Sequence, residues 1–172
     1  AALVHAHGLG VVHRDIKPEN ILALTTTGQP PWALTDFGAG RFLVRGTALQ
    51  SPAGTVQYMA PEVLRGHTTA VSDLYSLGLV ALELLRGHCP NLEQRTAFRL
   101  QHRDRTDLLG IVTRLLDPDP VTRLPTASTL AAALATTRRN VDVLVHARGQ
   151  RYVLCGDDVM MISADDAAPQ LV

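Results

Sequence analysis

Two short apolar runs, Ile21 to Leu24 and Trp32 to Thr35, are joined by Thr25-Thr26-Thr27-Gly28-Gln29-Pro30-Pro31, and both outer ends open into polar loops. A link that rich in turn residues suits a hairpin, which ties the two flanking loops to one small β element. Helical patterns lie on either side of this hairpin, up to residue 137. Ala1 to His7 is the end of a helix stopped by Gly8. Ser72 to Arg86 sets Leu74, Leu77, Val80 or Ala81, and Leu84 on one broad apolar stripe, with Gly87 placed as a C-cap. Asp107 to Leu116 and Thr126 to Leu134 are amphipathic, and Asp117-Pro118-Asp119-Pro120 stops one before the other begins. Gly38 to Pro61 has no sustained period and is too long for an ordinary connection, so it is a candidate functional loop. After residue 137 the pattern changes to Val141 to Val145, Tyr152 to Cys155 and Val159 to Ile162, short β-like runs around Gly149 and Gly156. The expected fold is mainly α with short β-hairpins: a unit over 1–137 and a separate tail over 138–172, with a possible small β element and no assigned role.

Composition narrows the class. With 172 residues, 46% hydrophobic and 19% charged, the chain can bury a core. Sixteen basic residues balance sixteen acidic ones, so no net field draws it to nucleic acid or an anionic membrane. Its longest apolar stretches, such as Leu77 to Leu82, are far short of the roughly 18 residues that span a bilayer. Cys89 and Cys155 form no C-x-x-C pair, which favours a reducing, cytoplasmic setting. The first residue is Ala1, and the expectation is a fragment of a longer protein. The basic residues are fifteen Arg and one Lys, as a GC-rich coding background produces, so the surviving Lys17 stands out although drift alone could leave one. Arg95, Arg99, Arg103 and Arg105 form a local basic run, read as a solvated face rather than a docking site.

The block from His13 to Asn20, His-Arg-Asp-Ile-Lys-Pro-Glu-Asn, carries three complementary side chains in one loop. The carboxylate of Asp15 can accept the proton of an attacking hydroxyl, the ammonium of Lys17 can neutralise a transferred phosphoryl group, and the amide oxygen of Asn20 can bind Mg²⁺. Asp36-Phe37-Gly38 follows directly after the second strand of the hairpin and offers a second hard oxygen ligand beside a glycine able to turn sharply. At roughly one chance in twenty per position, the five residues His13, Arg14, Asp15, Lys17 and Asn20 coincide about once in three million starts. His102-Arg103-Asp104 repeats the tripeptide, but Thr106 and Leu109 stand where Lys and Asn are needed, so it reads as a polar connector. His5 and His7 have no Cys or carboxylate at metal-ligand spacing and read as ordinary residues, with no zinc expected.

These motifs resemble those of the eukaryotic-type protein kinases, from residue 1 to about 137. Gly54-Thr55 and Ala60-Pro61-Glu62 stand where a kinase activation segment ends, and Ser72 to Gly78 is similar to the family's central buried helix. The resemblance implies Asp15 as catalytic base, Lys17 on the γ-phosphate, Asn20 and Asp36 on Mg²⁺, and Leu22 as floor of the adenine pocket. Lys17 with Thr55 looks like the serine/threonine branch, so the implied cofactors are ATP and Mg²⁺ and the implied partners are proteins phosphorylated on Ser or Thr. Arg14 resembles the arginine of kinases switched by phosphorylation of the activation segment. Ser51 is the first candidate acceptor and Thr47 the second, against the plainer reading of a Ser-Pro turn. Glu62 and Arg123 match the pair that pins that segment to the lower lobe. Asp73 matches the residue that accepts hydrogen bonds from the catalytic loop, with an N-cap of its helix, shared with Ser72, as the competing role.

The chain also departs from the family pattern. It contains no glycine-rich phosphate loop, no strand Lys of the Val-Ala-Ile-Lys type and no partner Glu, so it is expected to be the C-terminal lobe with the N-terminal lobe absent, bacterial-looking and inactive alone. Pro90 to Asp107 is shorter than usual, which puts the helix normally found there in doubt. Tyr75 replaces the more usual Trp, and Leu124 precedes Pro125 where Arg-Pro is common. The alternatives are a pseudokinase or scaffolding domain, which the intact Asp15, Lys17, Asn20 and Asp36 argue against, and a small-molecule phosphotransferase, which would not need Gly54-Thr55 or Ala60-Pro61-Glu62.

Overall fold

The structure is a computed structural model that describes residues 1–23, 32–37 and 56–137, together with the backbone of four strands in the tail. Gly38, Thr47, Ser51, Gly54 and Thr55 lie outside the described residues. The elements run α1 (Ala2–Gly8), a 3-10 turn (Pro18–Asn20), β1 (Ile21–Ala23), β2 (Trp32–Leu34), a second 3-10 turn (Val63–Arg65), α2 (Ala70–Arg86), α3 (Leu92–His102), α4 (Leu108–Leu115) and α5 (Ala127–Thr137). The tail adds β3 (Val143–Ala147), β4 (Gln150–Cys155), β5 (Asp158–Ile162) and β6 (Gln170–Leu171), an antiparallel meander in chain order. β1 and β2 pair antiparallel with Ile21 opposite Leu34 and Ala23 opposite Trp32.

Helix α2 is the centre of the described residues, and it is buried on more than one stripe. Leu74, with Ile111, Leu115, Leu124, Ala127 and Leu130, forms one apolar cluster against α4 and α5, onto which Leu3 and Val4 of α1 pack. Tyr75, Leu79, Val80 and Leu82 face the opposite way into a second cluster with Ile16, Tyr58, Phe98, Val112 and Leu116. Leu79 and Leu82 lie outside the single stripe expected from periodicity yet are fully buried, while Leu77, Ala81 and Leu84 are only partly so. A helix packed from two sides carries apolar residues on two faces, which a single stripe does not capture. Each leucine so buried contributes about 1.5–3 kcal/mol.

Helix α2 starts two residues earlier than its sequence suggests. Its N-cap is Thr69, whose N–H donates to Ser72 Oγ at 3.1 Å, so neither Asp73 nor Ser72 is the cap residue. It ends on Gly87, which takes the left-handed conformation (φ 78°) that a side chain would strain. Gly78 marks the crossing of α2 with α4: a Cβ there would stand 2.8 Å from Leu115 Cβ. Asp107 caps α4 by accepting the N–H groups of Leu109 and Gly110 at 3.1 and 3.3 Å. Hydrogen bonds from Arg105 and from those amides outweigh its slight desolvation and hold its carboxyl down at about 2.

Helix α3 overturns the doubt about the Pro90–Asp107 stretch. It has eleven residues and a capping box, with Asn91 Oδ1 accepting the Gln94 N–H and Gln94 Oε1 accepting the Asn91 N–H, both at 2.9 Å. The basic run on and beyond this helix is not a uniform solvated face either. Arg95 and Arg99 are half-buried, and Arg99 pairs with Asp117 at 3.1 Å, whereas Arg103 and Arg105 are exposed beside Asp104 and Asp107. Among the described residues no helix is long and apolar enough to cross a membrane.

Candidate active site

The hairpin sets the register of the site. Beyond the last pair of the ladder, the Thr35 N–H donates to the Asn20 carbonyl at 2.9 Å, so Asn20 and Asp36 leave the sheet at the same end. Asn20 is buried, and its amide nitrogen donates to the Asp15 carbonyl at 2.7 Å and to Asp15 Oδ2 at 3.2 Å. That fixes the amide orientation and turns Oδ1 away from Asp15. Lys17 Nζ donates to the same carboxylate oxygen, Oδ2, at 2.7 Å. Among the described residues both side-chain donors to this carboxylate go to Oδ2 and none to Oδ1. The structure thus brings Asp15, Lys17 and Asn20 into one hydrogen-bonded group. Asp36 is exposed at the end of the hairpin, and Leu22 on β1 is 40% exposed.

His13 is fully buried and holds the loop from inside. Its Nδ1 accepts the Asp15 N–H at 3.3 Å, so Nε2 carries the proton and donates to the Thr35 carbonyl at 2.7 Å, a tautomer set by the hydrogen-bond network. Its ring meets that of Phe37 at 4.5 Å, tilted by 58°. The imidazole therefore links the loop to the end of β2, a role its place in the motif did not disclose.

Among the described residues two non-glycine residues take left-handed backbone, Arg14 (φ 72°) and Asp36 (φ 61°). Each such conformation costs about 1–3 kcal/mol unless its surroundings hold it. Asp73, 1% exposed, accepts the backbone N–H groups of His13 on Oδ2 and of Arg14 on Oδ1, both at 2.8 Å. Charge-assisted bonds of this kind contribute roughly 1.5–3 kcal/mol each, enough to offset the strain at Arg14. His7 adds a third donor, Nε2 to Asp73 Oδ2 at 2.9 Å. His7 is thus not an ordinary histidine: its carboxylate partner lies sixty-six residues away, where no local spacing reveals it. Arg14 itself has a buried Nε with no hydrogen-bond partner among the described residues.

The segment entering α2 is fastened at two places. Arg123, fully buried, makes a bidentate pair with Glu62 at 2.7 and 3.1 Å. Two further donors reach the carbonyls of Val71 at 3.0 Å and Asp117 at 2.8 Å, and its guanidinium lies 4.8 Å from the Tyr75 ring centre. Burial pushes the Glu62 carboxyl up, yet the hydrogen bonds from Arg123, its own backbone and Ser72 outweigh it and hold the group below its usual range. Farther up, the Tyr58 hydroxyl donates to Glu83 at 2.5 Å, and Ser76 Oγ donates to the Tyr58 carbonyl at 2.7 Å. Burial, then the bond to Glu83, pushes the Tyr58 phenol well up. Burial and the charge of Glu83 also push the Cys89 thiol up.

With this geometry in hand, comparison with known proteins places the chain. The sequence model of the protein kinase domain matches residues 1–138. CBL-interacting serine/threonine-protein kinase 8 of Arabidopsis thaliana is 35% identical over 136 residues, 72% of this chain and 30% of that protein. A putative ribosomal protein S6 kinase alpha-1 of Caenorhabditis elegans is 44% identical over 111 residues, 63% of this chain and 12% of its own length. The crystal structure of the Mycobacterium tuberculosis PknI kinase domain superposes with a TM-score of 0.54 at 29% identity, covering 79% of this chain and 50% of that one. The chain therefore spans about half of a solved kinase domain and less than a third of these two curated relatives. On its motifs, its fold and these relatives, it belongs to the eukaryotic-type serine/threonine protein kinase family.

Proposed function

We propose that the chain carries the C-terminal lobe, residues 1–137, of a serine/threonine kinase that transfers the γ-phosphate of ATP to proteins in the cytoplasm, with 138–172 a separate tail. The observation that supports this reading is the convergence of Lys17 and Asn20 on one oxygen of Asp15 while Asp73 holds the loop backbone. Asp15 Oδ1 accepts the proton of a Ser or Thr hydroxyl; the hydroxyl oxygen bonds to the γ-phosphorus as the bond from that phosphorus to the β,γ-bridging oxygen breaks and ADP leaves, and Lys17 balances charge on the moving group. Asn20 Oδ1 and the Asp36 carboxylate form a hard-oxygen donor set that fits Mg²⁺ and would hold it, Asn20 already turned by its bonds to Asp15. The metal would supply charge neutralisation on the phosphates. Leu22, exposed on β1, would underlie the adenine.

Arg14, with its unpartnered Nε, would receive a phosphate on Ser51 or, second, Thr47, and Thr55 with Phe37 and Gly38 would complete the segment. Binding of the ATP phosphates depends on a glycine-rich loop and a strand Lys that these 172 residues do not contain. The chain alone should therefore turn over far below roughly 1 per second, the lower end for kinases. The deciding assay follows labelled γ-phosphate from ATP, with Mg²⁺, onto Ser/Thr peptides by the full-length protein. Incorporation supports the reading, and its absence from a folded full-length protein refutes it.

A further inference from the structure

The half-buried arginine at the start of α3 does something the sequence reading of its basic run did not foresee. Arg95 Nε donates to the Pro90 carbonyl at 2.9 Å, and Nη2 donates to the Gln57 carbonyl at 2.8 Å. Pro90 is fully buried in the connection between α2 and α3, so the guanidinium is braced on a fixed point and reaches from it to a residue thirty-eight positions earlier. Gln57 precedes Tyr58, whose hydroxyl and carbonyl are held by Glu83 and Ser76, and five residues later comes Glu62, held by Arg123. Two arginines from different elements therefore bracket residues 57–62. Arg123 fixes the far end as a buried ion pair, and Arg95 fixes the near end through two backbone carbonyls.

We propose that Arg95 is a positioning residue for peptide substrate, clamping the Gln57 end of the segment on α3 so that the surface a peptide must dock on is already formed. The proposal rests on the kinase reading above. Bridging two carbonyls requires two donors in a fixed fork, which a guanidinium has and an ammonium lacks. Arg95 touches none of Asp15, Lys17, Asn20 or Asp36, so its loss should act on peptide binding and leave phosphoryl transfer alone.

The test uses Arg95→Met and Arg95→Lys in the full-length protein, with two readouts. Amide exchange at Met59, whose N–H donates to the Val56 carbonyl at 3.2 Å, reports the clamp without any catalysis. Steady-state kinetics on a Ser/Thr peptide report its use. Both variants are expected to speed Met59 exchange and to raise the peptide KM about tenfold, the loss of one charged hydrogen bond, with kcat and the KM for ATP within twofold. Full rescue by Arg95→Lys would overturn the proposal by showing that charge alone suffices. So would unchanged Met59 exchange, or a fall in kcat at unchanged peptide KM. A folded wild-type protein that phosphorylates nothing would sink the kinase reading instead, while the exchange measurement still decides the clamp.

Discussion

At 13–15 the tripeptide His-Arg-Asp is buried at its histidine and half-buried after it, strained at Arg14 and tied to two distant elements; at 102–104 the same three residues stand at the end of α3. His13 is fully buried with both ring nitrogens engaged, whereas His102 is half-buried and only leans on Phe98, 4.6 Å between rings. Arg14 is left-handed with its amide on Asp73, while Arg103 and Asp104 pair with each other at 71% and 88% exposure. Asp15 gathers Lys17 and Asn20; Asp104 gathers only its neighbour. The difference lies in what each copy is bonded to. A buried carboxylate sixty residues away converts an ordinary tripeptide into a fixed constellation, so the anchor, as much as the motif, makes the site.

Without its anchor the 13–15 loop should become as ordinary as the 102–104 copy. Asp73→Ala leaves the buried N–H groups of His13 and Arg14 without acceptors, at roughly 1–3 kcal/mol each, and frees Arg14 from its left-handed conformation. Denaturant unfolding should show a loss of about 2–6 kcal/mol, and any kinase activity should vanish with it. A loss no greater than that of an exposed carboxylate would show that the loop holds itself.

Next in size is the Glu62 and Arg123 pair. Glu62→Gln or Arg123→Met alone should cost about 3–5 kcal/mol, because each leaves a buried charge uncompensated, and the double mutant should be much less than additive. Since folding lowers the Glu62 pKa, the unfolded state takes up protons first as pH falls. The pair's contribution is complete above the usual glutamate range and is lost as pH drops through the lower folded value. Unfolding curves in wild type and Glu62→Gln should therefore differ most near neutrality and converge in acid.

Smaller still is Gly78→Ala, which sets a methyl 2.8 Å from Leu115 Cβ and should cost about 1–3 kcal/mol by pushing α2 off α4. Asp107→Ala removes the α4 cap and should cost about 1 kcal/mol in thermal unfolding. At the bottom of the scale, Asp104→Asn should leave both stability and activity unchanged, as the exposed copy of the tripeptide requires.

How much of this could be read from residues alone follows the range of each signal. The hairpin, α4, α5 and the Gly87 stop rest on local patterns and lie within one to three residues of where the sequence places them. The Asp15, Lys17 and Asn20 group rests on spacing within one loop. Helix α3 escaped because it buries only Phe98 along eleven residues, too thin a stripe for a periodic signal. The burial of α2 was legible in the sequence, but its second packed face, with Leu79 and Leu82, was not, because it lies off the single stripe that periodicity marks. His7 on Asp73 and Arg95 on Gln57 are long-range polar contacts, created by the fold, and nothing in their neighbours announces them.

The most direct test sets the two copies of the tripeptide side by side in the full-length protein: Asp15→Asn against Asp104→Asn, with labelled ATP, Mg²⁺ and a Ser/Thr peptide. Asp15→Asn is expected to lower the transfer rate about 10²–10⁴-fold with nucleotide binding retained, while Asp104→Asn matches wild type. Transfer by Asp15→Asn at the wild-type rate would contradict the assignment of Asp15 as base.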